Sequence, residues 1–190
     1  MKHLKLYESF GNKTAIIIHG YGVTSDECFY PWLKSSLEKC GYTVELPQLP
    51  NPTNPNVDEQ VDYIVDNYPN KKNIIIGHSF GCPVAMKLVE RLNYKIDALV
   101  LVSGFIDTNF GDDEEDEVLS DSCDWVFNFS DIKSKTNVYI LRPNIDSSVT
   151  LQQTKDMANK FGVRINYFNP VEDHACGVKE PEILKFINNI

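Results

Sequence analysis

The chain has 190 residues, 42% of them hydrophobic and 24% charged, which is typical of one globular domain with a sizeable core. Its formal net charge of -9 argues against nucleic acid as a partner, because the phosphates would be repelled. No apolar run approaches the roughly 20 residues of a membrane span and no secretion leader is visible, so we expect a single domain over residues 1–190 without membrane contact.

The cysteines and histidines form no disulfide or metal pattern. Five cysteines are an odd number, they lack paired C-x-x-C spacing, and a chain of this size does not depend on disulfides. We therefore expect reduced thiols, a cytoplasmic location, and neither a metal nor another cofactor. The cysteines are Cys28, Cys40, Cys82, Cys123 and Cys176, and the histidines are His3, His19, His78 and His174.

Strand and helix patterns alternate along the chain. Short apolar runs predict strands at 14–19, 42–46, 73–76, 96–103, 136–142 and 163–168, with a weaker, more polar pattern at 3–7. Helical spacing of apolar residues predicts helices at 32–40, 57–68, 84–92, 150–161 and 181–188. Four prolines make 47–55 an extended loop.

Most of these strands are apolar throughout, as in sheets that are buried on both faces. We therefore expect an α/β fold: a compact three-layer sandwich with a six-stranded, mostly parallel sheet and helices on both faces. Sheets of this kind place their sites at the carboxyl ends of the strands.

Residues 107–131 interrupt the alternation. They contain ten acidic residues and no Lys or Arg, followed by the aromatic residues Trp125, Phe127 and Phe129. We interpret the acidic run at 112–117 as a solvated loop and expect the aromatic residues to pack, over the mouth of the site for example. The segment is interpreted as a loose lid or crossover rather than a domain.

One stretch carries a chemical signature. An apolar strand at 73–76 runs into Gly77-His78-Ser79-Phe80-Gly81 and then into an amphipathic helix. This order is typical of a nucleophile elbow, where a sharp turn exposes a serine hydroxyl and glycine is needed two residues to either side. Ser79 is therefore the candidate nucleophile, and the alternative is a tight turn whose serine only caps the helix.

A serine nucleophile needs an imidazole that takes its proton, and a carboxylate that orients the imidazole. His174 follows the last predicted strand, at the sheet edge where Ser79 also lies, and is the candidate base. His78 adjoins Ser79 in a turn and is expected to point elsewhere, whereas at His19 the backbone and the following glycines matter more. For the carboxylate we favour Asp146, which follows the strand at 136–142.

Other carboxylates compete with Asp146. Asp107 follows the preceding strand, while Glu172 and Asp173 are too close in sequence to His174 to reach its far nitrogen easily. The order serine, aspartate, histidine is the one expected of the α/β-hydrolase design. Backbone N–H groups of Phe80 and of the Gly20-Tyr21 loop are the candidate donors to the oxyanion.

Taken together, several motifs resemble the small serine hydrolases related to retinoblastoma-binding protein nine and its bacterial relatives. These motifs are HGYG (19–22), FYPWL (29–33), LPxLPNP (46–52), GHSFG (77–81), Asp146 with Val149 three residues later, and His174 before a short final helix. The resemblance covers essentially the whole chain. It implies a compact hydrolase without a large cap and with Ser79, Asp146 and His174 as the triad.

The chain departs from the pattern of these relatives in two loops and in one motif. Ser147 stands where a proline often follows the acid, and Asp173 stands where glycine usually precedes the histidine. The motif Leu-x-Cys-x-Glu is absent from all five cysteine contexts, so retinoblastoma binding is not carried over.

We therefore expect a serine hydrolase that acts on a small ester, thioester or amide through an acyl-enzyme intermediate. The alternative is a weakly active or inactive protein of this fold that acts by binding a protein partner, with 107–131 as its contact surface. Cysteine chemistry through Cys176 or Cys82 is a third reading. The substrate itself is not indicated by the sequence.

Overall fold

A computed structural model describes residues 13–108 and 113–190, with the backbone alone at 113–116. The strands are β1 Lys13–Ile18, β2 Tyr42–Glu45, β3 Ile74–His78, β4 Ala98–Val102, β5 Asn137–Pro143 and β6 Ile165–Phe168. The helices are α1 Tyr30–Lys39, α2 Val57–Asn67, α3 Gly81–Arg91, α4 Asp113–Ser120, α5 Phe129–Lys135, α6 Leu151–Phe161 and α7 Pro181–Ile187. The weak strand pattern at 3–7 lies outside the described residues.

The six strands form one sheet in the order β2-β1-β3-β4-β5-β6, and every neighbouring pair is parallel. The predicted six-stranded α/β sandwich is confirmed. Strand order reverses between β1 and β3, and open sheets of this kind bind ligands at that point, beyond the carboxyl ends of the strands. The loops that follow β1 and β3 carry Gly20 and Ser79.

Side chains that alternate along the strands bury both faces of the sheet. In β1, Ile16 and Ile18 belong to the core under α2, α3, α5 and α6, whereas Ile17 belongs to the core under α1 and α7. Val84 of α3 and Leu33 of α1 are completely buried on these two opposite faces. At about 25 cal/mol per Å² of apolar surface, burial on both faces is the main stabilising contribution to such a sheet.

The expectation of a solvated loop at 112–117 is wrong for 113–117, because α4 covers Asp113–Ser120. Acidic residues stabilise the first turn of a helix through its dipole, and Leu119 anchors the helix in the core with 1% of its surface exposed. The aromatic residues that follow do pack: Trp125 lies on Phe105 with ring centroids 5.8 Å apart, and Phe129 contacts Phe161 of α6.

The prediction of five reduced thiols is also wrong. A disulfide joins Cys28 to Cys176, whose Cα atoms are 4.6 Å apart although 148 residues separate them in sequence. Free thiols are present at Cys40, Cys82 and Cys123. Within the described ranges, no helix has the length and apolarity needed to cross a membrane.

Candidate active site

Ser79 lies on the sharp turn between β3 and α3. Its backbone has a φ of +53°, which is uncommon for a residue with a side chain, and its N–H donates to the carbonyl of Val102 in β4 at 2.9 Å. A Cβ at Gly77 would lie 2.5 Å from the carbonyl oxygen of Gly81. A Cβ at Gly81 would clash with the backbone of β1. The need for glycine at both positions follows from this close approach.

Asp146 and His174 are brought together by the loops after β5 and β6. His174 Nδ1 and Asp146 Oδ1 are 2.8 Å apart, and the Asp146 side chain is completely buried. The same carboxylate oxygen accepts the backbone N–H of Val149 at 2.9 Å, so Asp146 is held in place. Its other oxygen lies 3.8 Å from the guanidinium of Arg142 and accepts no hydrogen bond from the described residues.

This pairing determines the tautomer of the neutral imidazole. A carboxylate accepts but does not donate, so the proton is on Nδ1 and Nε2 keeps a lone pair. The His174 side chain is 15% exposed, and its Nε2 makes no hydrogen bond to the described residues. Its backbone has a φ of +55°, and its N–H donates to the carbonyl of Ile145 at 3.3 Å.

The loop that carries His174 lies against the turn that carries Ser79. The ring centroids of His174 and His78 are 5.0 Å apart, and His78 Nε2 is 2.8 Å from the carbonyl oxygen of His174. In the described part of the chain, Ser79 Oγ makes no hydrogen bond, either to His174 or to another group. Such bonds are often long before substrate binds.

The loop after β1 forms the opposite side of the turn. A Cβ at Gly20 would lie 3.6 Å from Ser79 Oγ, so this loop adjoins the hydroxyl. Of the three predicted oxyanion donors, Gly20 already uses its N–H on the hydroxyl of Tyr30, at 3.1 Å. The backbone N–H groups of Phe80 and Tyr21 have no hydrogen-bond acceptor among the described residues, so these two can serve an incoming oxyanion.

Two further histidines in this region are buried and neutral. His19 Nε2 accepts the N–H of Leu49 at 3.0 Å and its Nδ1 donates to the carbonyl of Gly20 at 2.9 Å. Burial lowers the pKa of His19, despite the hydrogen bond to Gly20. Burial also lowers the pKa of His78 to about 3, and the neighbouring His174 acts in the same direction.

His78 and Tyr30 are the residues that the sequence analysis missed. The His78 ring points away from the Ser79 hydroxyl, as expected, but its contacts were not foreseen: it contacts the carbonyl of His174 on one side and the hydroxyl of Tyr30 on the other, at 2.7 Å. Tyr30 stands in the motif at 29–33 that carried part of the resemblance, but a motif alone does not indicate which groups a buried phenol contacts.

The structure separates Asp107 and the two cysteines from the proposed roles. Asp107 Oδ1 accepts a hydrogen bond from the side chain of Gln153 at 3.3 Å, whereas Asp146 is the carboxylate on His174. Cys176 is held in the disulfide, and burial raises the pKa of the Cys82 thiol well above its ordinary value. Neither sulfur is therefore a thiolate nucleophile in this structure.

A cavity of about 590 Å³ lies between β6 and α7, lined by Tyr139, Arg164, Phe186 and other residues. It contains none of the residues discussed above, so it is not the site of the predicted chemistry. Among the described residues, no group of three or more His, Cys, Asp or Glu side chains is arranged to hold a metal.

The sheet order, the serine turn and the paired loops define a class of protein that sequence comparison also identifies. A model of the alpha/beta hydrolase fold matches residues 14–155, and the chain therefore belongs to the α/β hydrolase fold family.

Individual relatives support this assignment. The putative hydrolase YdeN of Bacillus subtilis (strain 168) is 31% identical over 97 residues, which is 49% of this chain and about half the length of that curated relative (51%). The crystal structure of the ydeN gene product is similar over 94% of this chain and 98% of its own, with a TM-score of 0.80 and 21% identity. A Paleococcus ferrophilus monoacylglycerol lipase is similar over 95% of both chains, with a TM-score of 0.63 and 17% identity.

Proposed function

We propose that this α/β hydrolase is a serine hydrolase that cleaves a small carboxylic ester, thioester or amide. Ser79 attacks the carbonyl carbon, His174 accepts the serine proton at Nε2, and Asp146 holds the imidazole and stabilises its protonated form. The tetrahedral oxyanion takes hydrogen bonds from the N–H groups of Phe80 and Tyr21, and loss of one such donor typically costs about 10²-fold to 10³-fold in turnover.

His174 then returns the proton to the leaving group, and an acyl group remains on Ser79. Water enters, attacks the acyl carbon and gives a proton to His174; the second tetrahedral intermediate then collapses, the bond to Ser79 Oγ breaks, and His174 returns the proton to Oγ as the acid leaves. The observation that carries this proposal is the 2.8 Å contact between His174 Nδ1 and Asp146, because it leaves Nε2 unprotonated beside the serine turn.

The proposal also covers the absence of a large cap, the number of domains and the cellular location. The resemblance to the group of retinoblastoma-binding protein nine supports a compact hydrolase without a large cap, and therefore an open mouth to the site. We also propose one domain over 1–190. The cytoplasmic location stays a prediction, and the disulfide between Cys28 and Cys176 argues against it.

A fluorophosphonate probe tests the proposal directly. Intact mass measurement of the labelled protein should show one adduct on the wild type and none on Ser79→Ala. Ser35→Ala is the matched control, because Ser35 is an exposed serine of α1. Absence of an adduct on the wild type, under conditions that label a known esterase, would overturn the proposal in favour of the alternative, a binding protein that uses 107–131.

A panel of p-nitrophenyl esters of increasing chain length then measures which acyl length the site prefers. An optimum in kcat/KM at one chain length would give the size of the acyl group that the site accepts. The same panel applied to Ser79→Ala should show only the uncatalysed rate.

A further inference from the structure

A continuous chain of hydrogen bonds passes behind Ser79. The N–H of Gly20 donates to the hydroxyl of Tyr30 at 3.1 Å, this hydroxyl lies 2.7 Å from His78 Nδ1, and His78 Nε2 lies 2.8 Å from the carbonyl oxygen of His174. The chain connects the loop after β1 to the loop after β6. The first of these loops adjoins Ser79 Oγ, and the second contacts His78, the residue before Ser79.

Proton positions along this chain follow from the groups at its two ends. A carbonyl oxygen only accepts, so His78 carries its proton on Nε2 and donates to His174. The neutral ring then has a lone pair on Nδ1, which accepts the O–H of Tyr30. The phenol oxygen in turn accepts the N–H of Gly20. Each bond has one donor and one acceptor, and for a neutral His78 ring this is the arrangement of protons that satisfies all three bonds.

The two residues in the middle are inaccessible to solvent. The exposed fraction is 0% for Tyr30 and 2% for His78. Phe29 packs edge-on against the His78 ring with centroids 5.2 Å apart, which limits its rotation. Neither side chain can exchange its partner for water without cost. The chain of hydrogen bonds therefore restrains the backbone groups at its two ends, the N–H of Gly20 and the carbonyl of His174.

Both ends need such a restraint. His174 and Ala175 have positive φ values of +55°, a conformation that side-chain-bearing residues adopt only when their surroundings impose it. At the other end, the N–H of Gly20 is drawn toward Tyr30, while its carbonyl is held by His19. The following N–H, of Tyr21, has no acceptor among the described residues and is left free to donate.

Building on the proposed function, we infer that Tyr30 and His78 are positioning residues: they hold the base loop at His174 and the oxyanion loop at Gly20 in register with Ser79. They do not touch the substrate. Loss of the phenol hydroxyl leaves the Nδ1 lone pair of His78 without a donor, so the imidazole is held at one end only and the restraint on His174 is weakened.

Tyr30→Phe tests the inference, with Tyr94→Phe as the matched control. The phenol oxygen of Tyr94 also accepts a backbone N–H at 3.1 Å, from Lys72, at a position remote from the serine turn. Tyr30→Phe should lower kcat about tenfold to 100-fold with KM changed less than twofold, since small displacements of catalytic groups cost rates of this order. Tyr94→Phe should leave both unchanged.

A second pair of variants separates positioning from stability. In His78→Gln the amide nitrogen reaches the place of Nε2 and can still donate to His174, whereas in His78→Asn it cannot. We expect the glutamine variant to keep at least tenfold more kcat than the asparagine variant, at similar melting temperatures. Histidine ¹⁵N spectra should show the Nε2–H tautomer of His78 in the wild type, and in Tyr30→Phe a shifted Nδ1 resonance, because the Nδ1 lone pair then accepts no O–H.

Equal kcat for Tyr30→Phe and Tyr94→Phe, or for the two His78 variants, would overturn the inference. So would a wild-type spectrum in which His78 carries its proton on Nδ1. Failure of the proposed function is distinguishable: the wild type would then not react with the fluorophosphonate at all. A wild type that reacts at the same rate as Tyr30→Phe would overturn only the inference.

Discussion

Ser147 donates both its backbone N–H and its hydroxyl to the carboxylate of Asp173, at 3.0 and 2.5 Å. The same carboxylate accepts the backbone N–H of His174 at 2.7 Å. Ser147 and Asp173 are the two loop positions at which the chain departs from the pattern of the hydrolases that its motifs resemble. Ser147 follows Asp146 in sequence, and Asp173 precedes His174. The two departures thus contact each other and join the acid loop to the base loop.

We predict that Ser147→Ala and Asp173→Asn each lower kcat several-fold to about tenfold, because the His174 ring shifts relative to the serine. The double variant should be little worse than either single one, since both remove the same contact. Asn144→Ala is the control, because Asn144 joins the same two loops through Asn169 at 2.7 Å but farther from the imidazole. Additive losses in steady-state kinetics would contradict this coupling.

The identity of the acid can be tested against its competitor. Asp146→Asn should lower kcat by about 10⁴-fold, because an amide no longer fixes the tautomer of His174. Asp107→Asn should stay within several-fold of the wild type, since its carboxylate bonds to Gln153. Hydrolysis of the best p-nitrophenyl ester measures both, and a reversed order would make Asp107 the acid.

The disulfide between Cys28 and Cys176 should stabilise the folded protein, and a count of the free thiols should show whether it is present. Closing a loop of about 148 residues restricts the unfolded chain, so we expect Cys28→Ser to lower the free energy of unfolding by about 3 to 5 kcal/mol. Cys40→Ser, at an exposed free thiol, should change it little. Thiol titration of the denatured, unreduced protein should count three thiols, and a count of five would refute the disulfide.

Acid should destabilise the protein through its buried imidazoles. His78 has its pKa lowered from 6.5 to about 3, so between these values the unfolded chain binds a proton that the folded chain does not. Its contribution to stability is complete above pH 6.5 and is lost as the pH falls toward 3, at about 1.4 kcal/mol per pH unit. His19 acts in the same direction.

Urea denaturation between pH 4 and 8 measures this slope. His78→Asn should reduce the slope in the acid range even if it lowers the overall stability. Asp173 adds to the acid loss, because hydrogen bonds from Ser147 lower the pKa of its carboxyl. A slope unchanged in His78→Asn would show that this imidazole does not titrate differently in the folded chain.

The serine turn should not tolerate a methyl group at Gly77. A Cβ there would lie 2.5 Å from the backbone oxygen of Gly81, and backbone cannot move aside as a flexible side chain can. We expect Gly77→Ala to destabilise the protein by about 3 kcal/mol or more. Gly41→Ala is the comparison, because its φ is +90° with open space around it, so it should cost only about 1 to 2 kcal/mol. Equal melting temperatures would contradict the argument.

The sheet and the serine turn were predictable because their signals are local. All five residues of β3 and all five of β4 are buried, as the apolar patterns of these strands indicated. The segment at 107–131 was harder to predict, because α4 has few apolar residues and depends on a single anchor, Leu119, and on the favourable position of acids at a helix start.

The site was predicted in part. Residue types, chain order and strand ends pointed to Asp146 and His174, which the structure brings into contact, and to Ser79, which stands on the turn. Their catalytic roles stay proposals. The contacts of Tyr30 with His78, and of Ser147 with Asp173, had no sequence signal, because a hydrogen bond between distant residues leaves no periodicity.

The apolar runs and glycine positions of the sequence determined the order of strands and helices, the sharp turn at Ser79 and the residues able to do chemistry. Tertiary structure alone decided that Cys28 bonds to Cys176, that Gly20 gives its N–H to Tyr30, and that His78 supports the carbonyl of His174. The physical reason is distance along the chain. Strand and turn propensities act over a few neighbouring residues, whereas these partners are separated by 10, 96 and 148 residues and are brought together by the fold.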